Sequence, residues 1–574
     1  MEIEKPKKAE GATRGRKSKS LGLHLPNPLV YRLNDSGYTI YHRAALGGLA
    51  ATVCAWQEHK RIAPAGVEAE VTEDTVTLSW DEDLPTEMVL NNILAASFRR
   101  TDDKLIELPG HQIESDDYGL RLAIHSGIVG TFLQHPKMRP GEKQPRSKQI
   151  GTVDDEGGGD LFTYKAVDSY AHQKAQGTGL LDGKLVSSGD GQAAFATLPQ
   201  SVVPGAMSGA TALQARPEEV LLLLYLMVGC AIFLLRPRTY KEKAQYCVVV
   251  PDVTNLEAFA EGLRQIAATG QGIERLSNSY LGRVVRGAEE AALSFLIDLQ
   301  AGDLKREGEG CVSGCLAVAM GKVAWDKNQI NRSMTVKLKS HYPEIGVFRA
   351  AKPLGKSKAR KNEKGESYVL PGSPVPELVA ANLAAERHWC AHFRELVEQK
   401  KDFDAMYRYE SGGLKKMRDA VKDETDQTII RAFQEAWKLK MSALYERGKQ
   451  EVGKNDRLVP APDGGKGNVR QVLASKVIGD RLVSVERERM RNAILREKTG
   501  DGLASWFLRF CADATRDRSS TTLARDLAQL RPFIFNSRNF ERFKNLCLFS
   551  LVSYARDESA ARDNNDTTTV GARD

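Results

Sequence analysis

The run VLLLLYLMVGCAIFLL, from Val220 to Leu235, is sixteen residues without a charge, flanked by Glu218-Glu219 and Arg236. A membrane-spanning helix needs ~20 apolar residues, so the run is read as buried core. Pro217 suits the first helical position and two acids follow it, so a helix is predicted to start here and to be buried on all sides. A chain of 574 residues exceeds the ~250–300 residues at which a single core stops growing, which predicts two or three domains.

Other segments carry their own periods. GVEAEVTEDTVTLSW (66–80) and EKAQYCVVV (242–250) are β-branched and partly alternating, as strands are, while 38–60 and 86–98 carry helical spacing. After the second strand, PDVT predicts a Pro-Asp turn and a threonine cap, and NLEAFAEGLRQIAATG a helix ended by Gly270. DDEGGGD (154–160) and GTGLLDGKLVSSGDGQ (177–192) predict long loops.

From about Pro376 apolar residues recur three and four apart, predicting a bundle of four or five helices. The fold class is therefore α+β: a mixed α/β N-terminal region followed by a C-terminal helical bundle. The expected divisions are a disordered basic tail (1–20), the α/β domain (21–351), a basic linker or exposed loop (352–374), the bundle (375–560) and a disordered tail (561–574). The first twenty residues hold seven basic and three acidic side chains and no apolar run, unlike a secretory signal or a membrane anchor. Eight cysteines, with only Cys311 and Cys315 close together, read as reduced thiols, so a cytoplasmic location is expected.

In YTIYHRAALGGLAATVCAWQEHK, Ala44, Gly48 and Ala51 or Thr52 share one helical face. Small side chains there admit a close neighbour, and glycine inside a helix costs ~1 kcal/mol against alanine, so close packing is the reading. His42, Arg43 and His59 stand near the helix ends as solvated or capping groups. A phosphate cradle would put the glycines between strand and helix instead.

Catalytic sets are missing. Cys311 and Cys315 lack the second pair a structural zinc site wants, and the carboxylate runs at 81–83, 102–103 and 116–117 read as solvated faces. No cofactor is predicted. Lys+Arg outnumber Asp+Glu by 82 to 74 with a pI near 8.9, which favours polyanionic partners. KMRPGEKQPRSK (137–148) has five cations and one acid, and AKPLGKSKARKNEK (351–364) six and one. Both read either as flexible arms that touch phosphates or as loops that keep the chain soluble. VERERMRNAILREK (485–498) reads as a surface face with Glu-Arg pairs. Aromatics rarely interleave with the basic runs, against stacking as the main mode of single-strand binding.

YTIYHRAALGGLAATV resembles the N-terminal signature of the Cas-eight large subunits of type I CRISPR surveillance complexes, in the Myxan-like branch grouped with subtype I-B. GTFLQHPKMR, TYKAVDSYAHQ, the block 220–235 with KAQYCVVVPDVTNLEAFA after it, WFLRFCADA and FKNLCLFSLVSYAR follow in the family's order. The resemblance implies a noncatalytic subunit of a Cascade complex, beside the guide CRISPR RNA. It would recognise a protospacer-adjacent motif in double-stranded target DNA, help open the strands and stabilise the R-loop. Implied partners are the backbone, handle-binding and small subunits, with helicase-nuclease or transposition proteins downstream and no membrane. In several relatives the small subunit starts internally, and Met406 and Met417 stand before the predicted bundle.

Matched by chemistry, the loop from Gln134 to Lys148 is the candidate DNA contact. Gln134 would meet a base edge or act as a wedge, and Lys137, Arg139, Lys143, Arg146 and Lys148 would hold phosphates, joined by Lys356, Lys358, Arg360 and Lys361 of the second basic run. Gln134 and His135 are equally readable as a helix end. Two other functions stay open: a metal-dependent nuclease or other nucleic-acid enzyme, and a regulatory DNA-binding protein acting alone.

Overall fold

The computed structural model describes residues 25–112, 118–133, 139, 141–150, 160–170, 193–194, 214–215, 217–235, 245–268, 284–285, 287–302, 310–320, 332–339, 341–355, 358–361, 367–370, 372–454, 468–516 and 520–554. The loops predicted at 154–160 and 177–192 fall outside them but for Asp160, as do Gly270 and both tails.

The helix Ile40–Glu58 is the pivot of the N-terminal half, with thirteen of its nineteen residues buried. Its small residues do what the spacing predicts. A Cβ on Gly48 would lie 2.3 Å from the Tyr225 carbonyl oxygen, and one on Gly229 would lie 1.8 Å from that of Ala44. The backbone of Leu226–Gly229 is thus seated directly on the helix, an approach that any side chain would block. His42 closes the start of the helix, its Nδ1 accepting from the Thr39 backbone N–H at 3.2 Å.

The apolar run departs from its prediction. A helix does begin at Pro217, with Glu218 and Glu219 in its first turn, but ends at Leu224. One short turn follows, and Ala231–Leu235 is a strand. A run without polar period suits a buried helix or a buried strand equally. The short turn ends at Gly229, where the chain is seated on the pivot helix, and Cys230 is already extended. The strand pairs antiparallel with Gln245–Val253 and parallel with Val284–Val285.

These strands belong to a five-stranded sheet continued by Val312–Met320 and Arg332–Lys339. The predicted Pro-Asp turn is absent, since Pro251 and Asp252 lie inside the strand at a bulge. The following helix, Leu256–Ala268, is capped by Asn255, whose Oδ1 accepts from Ala258 N–H at 2.9 Å. Thr254 instead donates its hydroxyl to the Gly310 carbonyl. A smaller sheet, in the order Leu29–Arg32, Thr75–Trp80, Val67–Val71, packs beside the pivot.

From Val375 to Val552 the described residues hold eight α-helices, more than the four or five predicted. The innermost of them is Phe540–Val552, whose last ten residues are all buried. Beneath them lies a carboxylate with no exposure, Asp426. It accepts from Arg542 (2.6 and 2.9 Å), Trp389 Nε1 (2.9 Å) and His388 Nε2 (2.7 Å). A buried charge is tolerable only when paired and hydrogen-bonded in this way. Met406 and Met417 are buried within the helix Lys400–Asp419, inside the helical assembly and not ahead of it.

The face at 485–498 also turns out otherwise. Arg487 and Arg491 are 5% and 6% exposed, their guanidinium groups over Tyr407 (3.6 Å) and Phe403 (5.4 Å). Their aliphatic stems fill the helix interface, and the planar cations stack on rings that the charge pattern alone does not reveal. One hydrophobic cluster continues from Leu25 through the sheet to Val552, and the helix Val375–Ala384 joins the two halves by packing on Ala288–Gly302 and Ile345–Ala351.

Candidate nucleic-acid interface

The described part of the first basic run, Arg139 and residues 141–148, is a built structure and not a loose arm. Arg139 is buried and its Nε donates to the Leu133 carbonyl at 2.9 Å. Burial lowers the pKa of this guanidinium. Its visible work is to tie the chain down, so it is unsuited to a phosphate at the surface. Arg146–Ile150 is a strand paired with Asp160–Tyr164.

Glu142 collects the neighbouring cations. Arg146 reaches its two oxygens at 2.9 and 2.7 Å, and Lys104 reaches it at 2.8 Å while also meeting Asp168 at 2.7 Å. The bonds from Arg146 and then Lys104 hold the Glu142 carboxyl down at about 2. Lys148 pairs with Asp103 at 2.6 Å and stands 3.9 Å from the centre of the Tyr118 ring. The Lys148 bond, above all, lowers the Asp103 pKa. Within the run Arg146 is thus answered by Glu142 and Lys148 by the distant Asp103, while Lys104, itself outside the run, shares Glu142 with Arg146 and also meets Asp168.

What remains open to solvent is narrower. Lys143 is exposed and makes no ion pair among the described residues. Arg146 and Lys148 keep side-chain exposures of 36% and 43%, so a phosphate could still share them. Gln134 and Lys137 lie outside the described residues, as does Lys356.

Lys358, Arg360 and Lys361 belong to the strand Lys358–Lys361, paired with Ser367–Leu370. The hairpin leaves and returns at one point. The Ser373 N–H donates to the Leu354 carbonyl at 2.9 Å, and a Cβ on Gly372 would lie 2.0 Å from the Gly355 carbonyl oxygen. The two ends of the segment that carries this strand pair therefore meet on the body of the protein.

Sequence reasoning missed Lys104, Asp103 and Glu142 as the groups that set the electrostatics of this edge. It missed a second polar feature as well, a cleft of about 430 Å³ lined by Arg418, Arg431, Lys438 and Tyr554. Arg418 is held there by Asp419 and Gln434, and Arg431 by Asp526. Among the described residues no group of three or more His, Cys, Asp or Glu could hold a metal ion. Cys311 and Cys315 are both buried. No helix among them is long and apolar enough to cross a membrane.

Two comparisons bear on this arrangement. Residues 30–224, which carry the pivot helix and the first basic run, match the model of the DevT N-terminal domain. A CRISPR-associated protein Cas8a1/Csx13 of Myxococcus xanthus (strain DK1622) is 25% identical, covering 92% of this chain and 89% of that protein. The chain resembles a Cas8 protein almost end to end. The likeness reaches well beyond the DevT N-terminal domain, through the hairpin 358–370 and into the helices that enclose Asp426. It supports a CRISPR-associated role for the Cas8-like chain.

Proposed function

We propose that this chain is the noncatalytic large subunit of an RNA-guided type I CRISPR complex. In this reading it recognises a protospacer-adjacent motif in duplex DNA, helps part the strands and stabilises the R-loop. Its proposed partners are the guide CRISPR RNA, the other Cascade subunits and a downstream helicase-nuclease or transposition machinery, in the cytoplasm. The observation that carries the proposal is the similarity to a Cas8a1/Csx13 protein over 92% of the chain.

The physical division of labour fits. In such complexes base pairing with the guide supplies most of the specificity, leaving the protein to supply phosphate contacts and a few groove contacts. An edge whose cations are spaced and oriented by Glu142, Asp103 and Asp168 suits that task better than a mobile arm, because the ordering cost is already met in the fold. Lys137, Lys143, Arg146 and Lys148 are retained as phosphate contacts, Gln134 as the motif-reading side chain, and Lys356, Lys358, Arg360 and Lys361 as a second contact. Arg139 is left out for its burial.

The test is a reconstituted complex offered a duplex library with one guide-matched target and a randomised flank. Enrichment of a short flanking motif that vanishes when this chain is omitted is the expected result. A flank preference independent of the chain, or divalent-metal-dependent cleavage by the chain alone, would overturn it.

A further inference from the structure

The sheet ordered Leu29–Arg32, Thr75–Trp80, Val67–Val71 ends on the last of these strands, which pairs on one side alone. Its hairpin closes with the Thr72 N–H donating to the Thr75 carbonyl at 2.9 Å. Antiparallel alternation then turns the backbone groups of Glu68 and Glu70 into the sheet and those of Ala69 and Val71 outward. Among the described residues one side chain answers this flank, Gln57, whose Nε2 donates to the Ala69 carbonyl at 3.0 Å. The outward N–H groups of Ala69 and Val71 have no partner among those residues.

Charge marks the same strand. Glu68 and Glu70 are exposed, stand two apart on one face and make no ion pair among the described residues. Glu73 and Asp74 at the hairpin turn and the acidic run 81–83 are exposed as well, against Arg32, Lys60 and Arg61 as the exposed cations of this corner. An edge of this sign repels phosphates, and pairing with the same edge of a second copy would set glutamate against glutamate. The strand that complements it carries cations two apart.

The chain holds such a segment beside this sheet. Residues 13–20, TRGRKSKS, have four cations and no acid. Lys17 and Lys19 stand two apart there, beyond Gly15, which weakens a strand. The described residues begin at Leu25, and Asn27 is bonded twice to Trp80: its Nδ2 donates to the carbonyl at 2.7 Å and its Oδ1 accepts from the N–H at 3.3 Å. Trp80 lies opposite Val67. The path from Ser20 to Asn27 is about seven residues, up to ~24 Å when extended, against ~14 Å for three strand spacings. A segment arriving from that end runs antiparallel to Val67–Val71, the more stable pairing, and its tether keeps it at high local concentration.

We propose that the open flank of Val67–Val71 is the docking site of the chain's own segment 16–20, added as an antiparallel strand with Lys19 opposite Glu68 and Lys17 opposite Glu70. Docked there, the segment closes an edge that would otherwise template pairing with another chain, and its cations are held on carboxylates instead of phosphates. This docking needs no nucleic acid.

The test is amide hydrogen exchange of the full chain, read residue by residue. Lys17→Glu with Lys19→Glu should speed exchange at Ala69 and Val71 about tenfold, as two cross-strand attractions become repulsions, and Glu68→Lys with Glu70→Lys should do the same. All four changes together restore opposite charges and should return both amides to the parental rate. The Glu68 and Glu70 amides, bonded within the sheet, report its integrity and should stay slow throughout. Should the strand variant lose that protection, the Lys17→Glu, Lys19→Glu variant decides alone, since its changes lie outside the sheet. Parental exchange at Ala69 and Val71 in that variant, or no recovery with all four changes in an intact sheet, would overturn the docking.

Discussion

Arg542 lays two guanidinium nitrogens on one carboxylate oxygen of the fully buried Asp426, at 2.6 and 2.9 Å, and so ties the innermost C-terminal helix to Glu424–Lys454. Removing one member of a buried pair strands the other in a medium that cannot solvate it. Arg542→Met should therefore cost about 3–5 kcal/mol, read as a lowered urea midpoint. Arg264→Met is the control, because Arg264 pairs with Glu261 at the surface (side chains 49% and 44% exposed), and its change should stay within about 1 kcal/mol.

Two glycines give a second contrast. A methyl group on Gly229 would meet the Ala44 backbone at 1.8 Å, whereas one on Gly412, within the helix Lys400–Asp419, would meet nothing within 4 Å. Gly229→Ala should prevent the pivot helix from seating and leave little soluble protein. Gly412→Ala should be neutral or raise stability by up to about 1 kcal/mol. Thermal melting of the two variants checks both.

His125 defines a pH window. Its Nδ1 accepts from the Ile106 N–H at 3.1 Å and its Nε2 donates to the Lys165 carbonyl at 2.8 Å, a pattern only the neutral ring satisfies. Burial, first of all, pushes its pKa down from 6.5 to about 4, and burial does the same at His111. Both histidines take up protons more readily when unfolded. Their contribution is complete above about pH 6.5 and drains away as the pH falls through 4. Each contributes about 3 kcal/mol to the loss, since one pKa unit is worth ~1.4 kcal/mol. Urea midpoints measured from about pH 7.5 to about 4.5 should fall accordingly, and His125→Gln should flatten the profile.

Glu142 restrains the cations beside it. Glu142→Gln removes the charge that holds Arg146 and Lys104, and should tighten duplex binding and steepen its salt dependence by about one to two units. Lys143→Gln should do the opposite, by about one unit. Filter binding between about 50 and 200 mM salt reads both. Equal slopes in the two variants would remove this edge from the DNA contact.

Periodicity made much of the fold legible. The pivot helix, the strands at 67–71 and 75–80 and the helix at 256–268 fall where spacing puts them. The apolar run is different in kind: from Val220 to Leu235 nothing polar marks a face, so the run itself does not say where helix gives way to strand, a change that in the fold follows Gly229, seated against Ala44. The candidate site was less legible because charge is balanced across the fold. Lys148 finds Asp103 forty-five residues away, and Arg487 and Arg491, surface-like by their neighbours, are drawn inward by Tyr407 and Phe403. Composition along the chain reports how many charges there are, and the tertiary partners decide which remain free.

In the proposed function a companion RNA chooses the sequence to which this chain is brought. Purification of the chain from its native cells, with sequencing of whatever RNA accompanies it, is the decisive measurement. Uniform, repeat-derived guides in stoichiometric amount, together with further subunits, are the expected result. Recovery of the chain alone and free of RNA would contradict it.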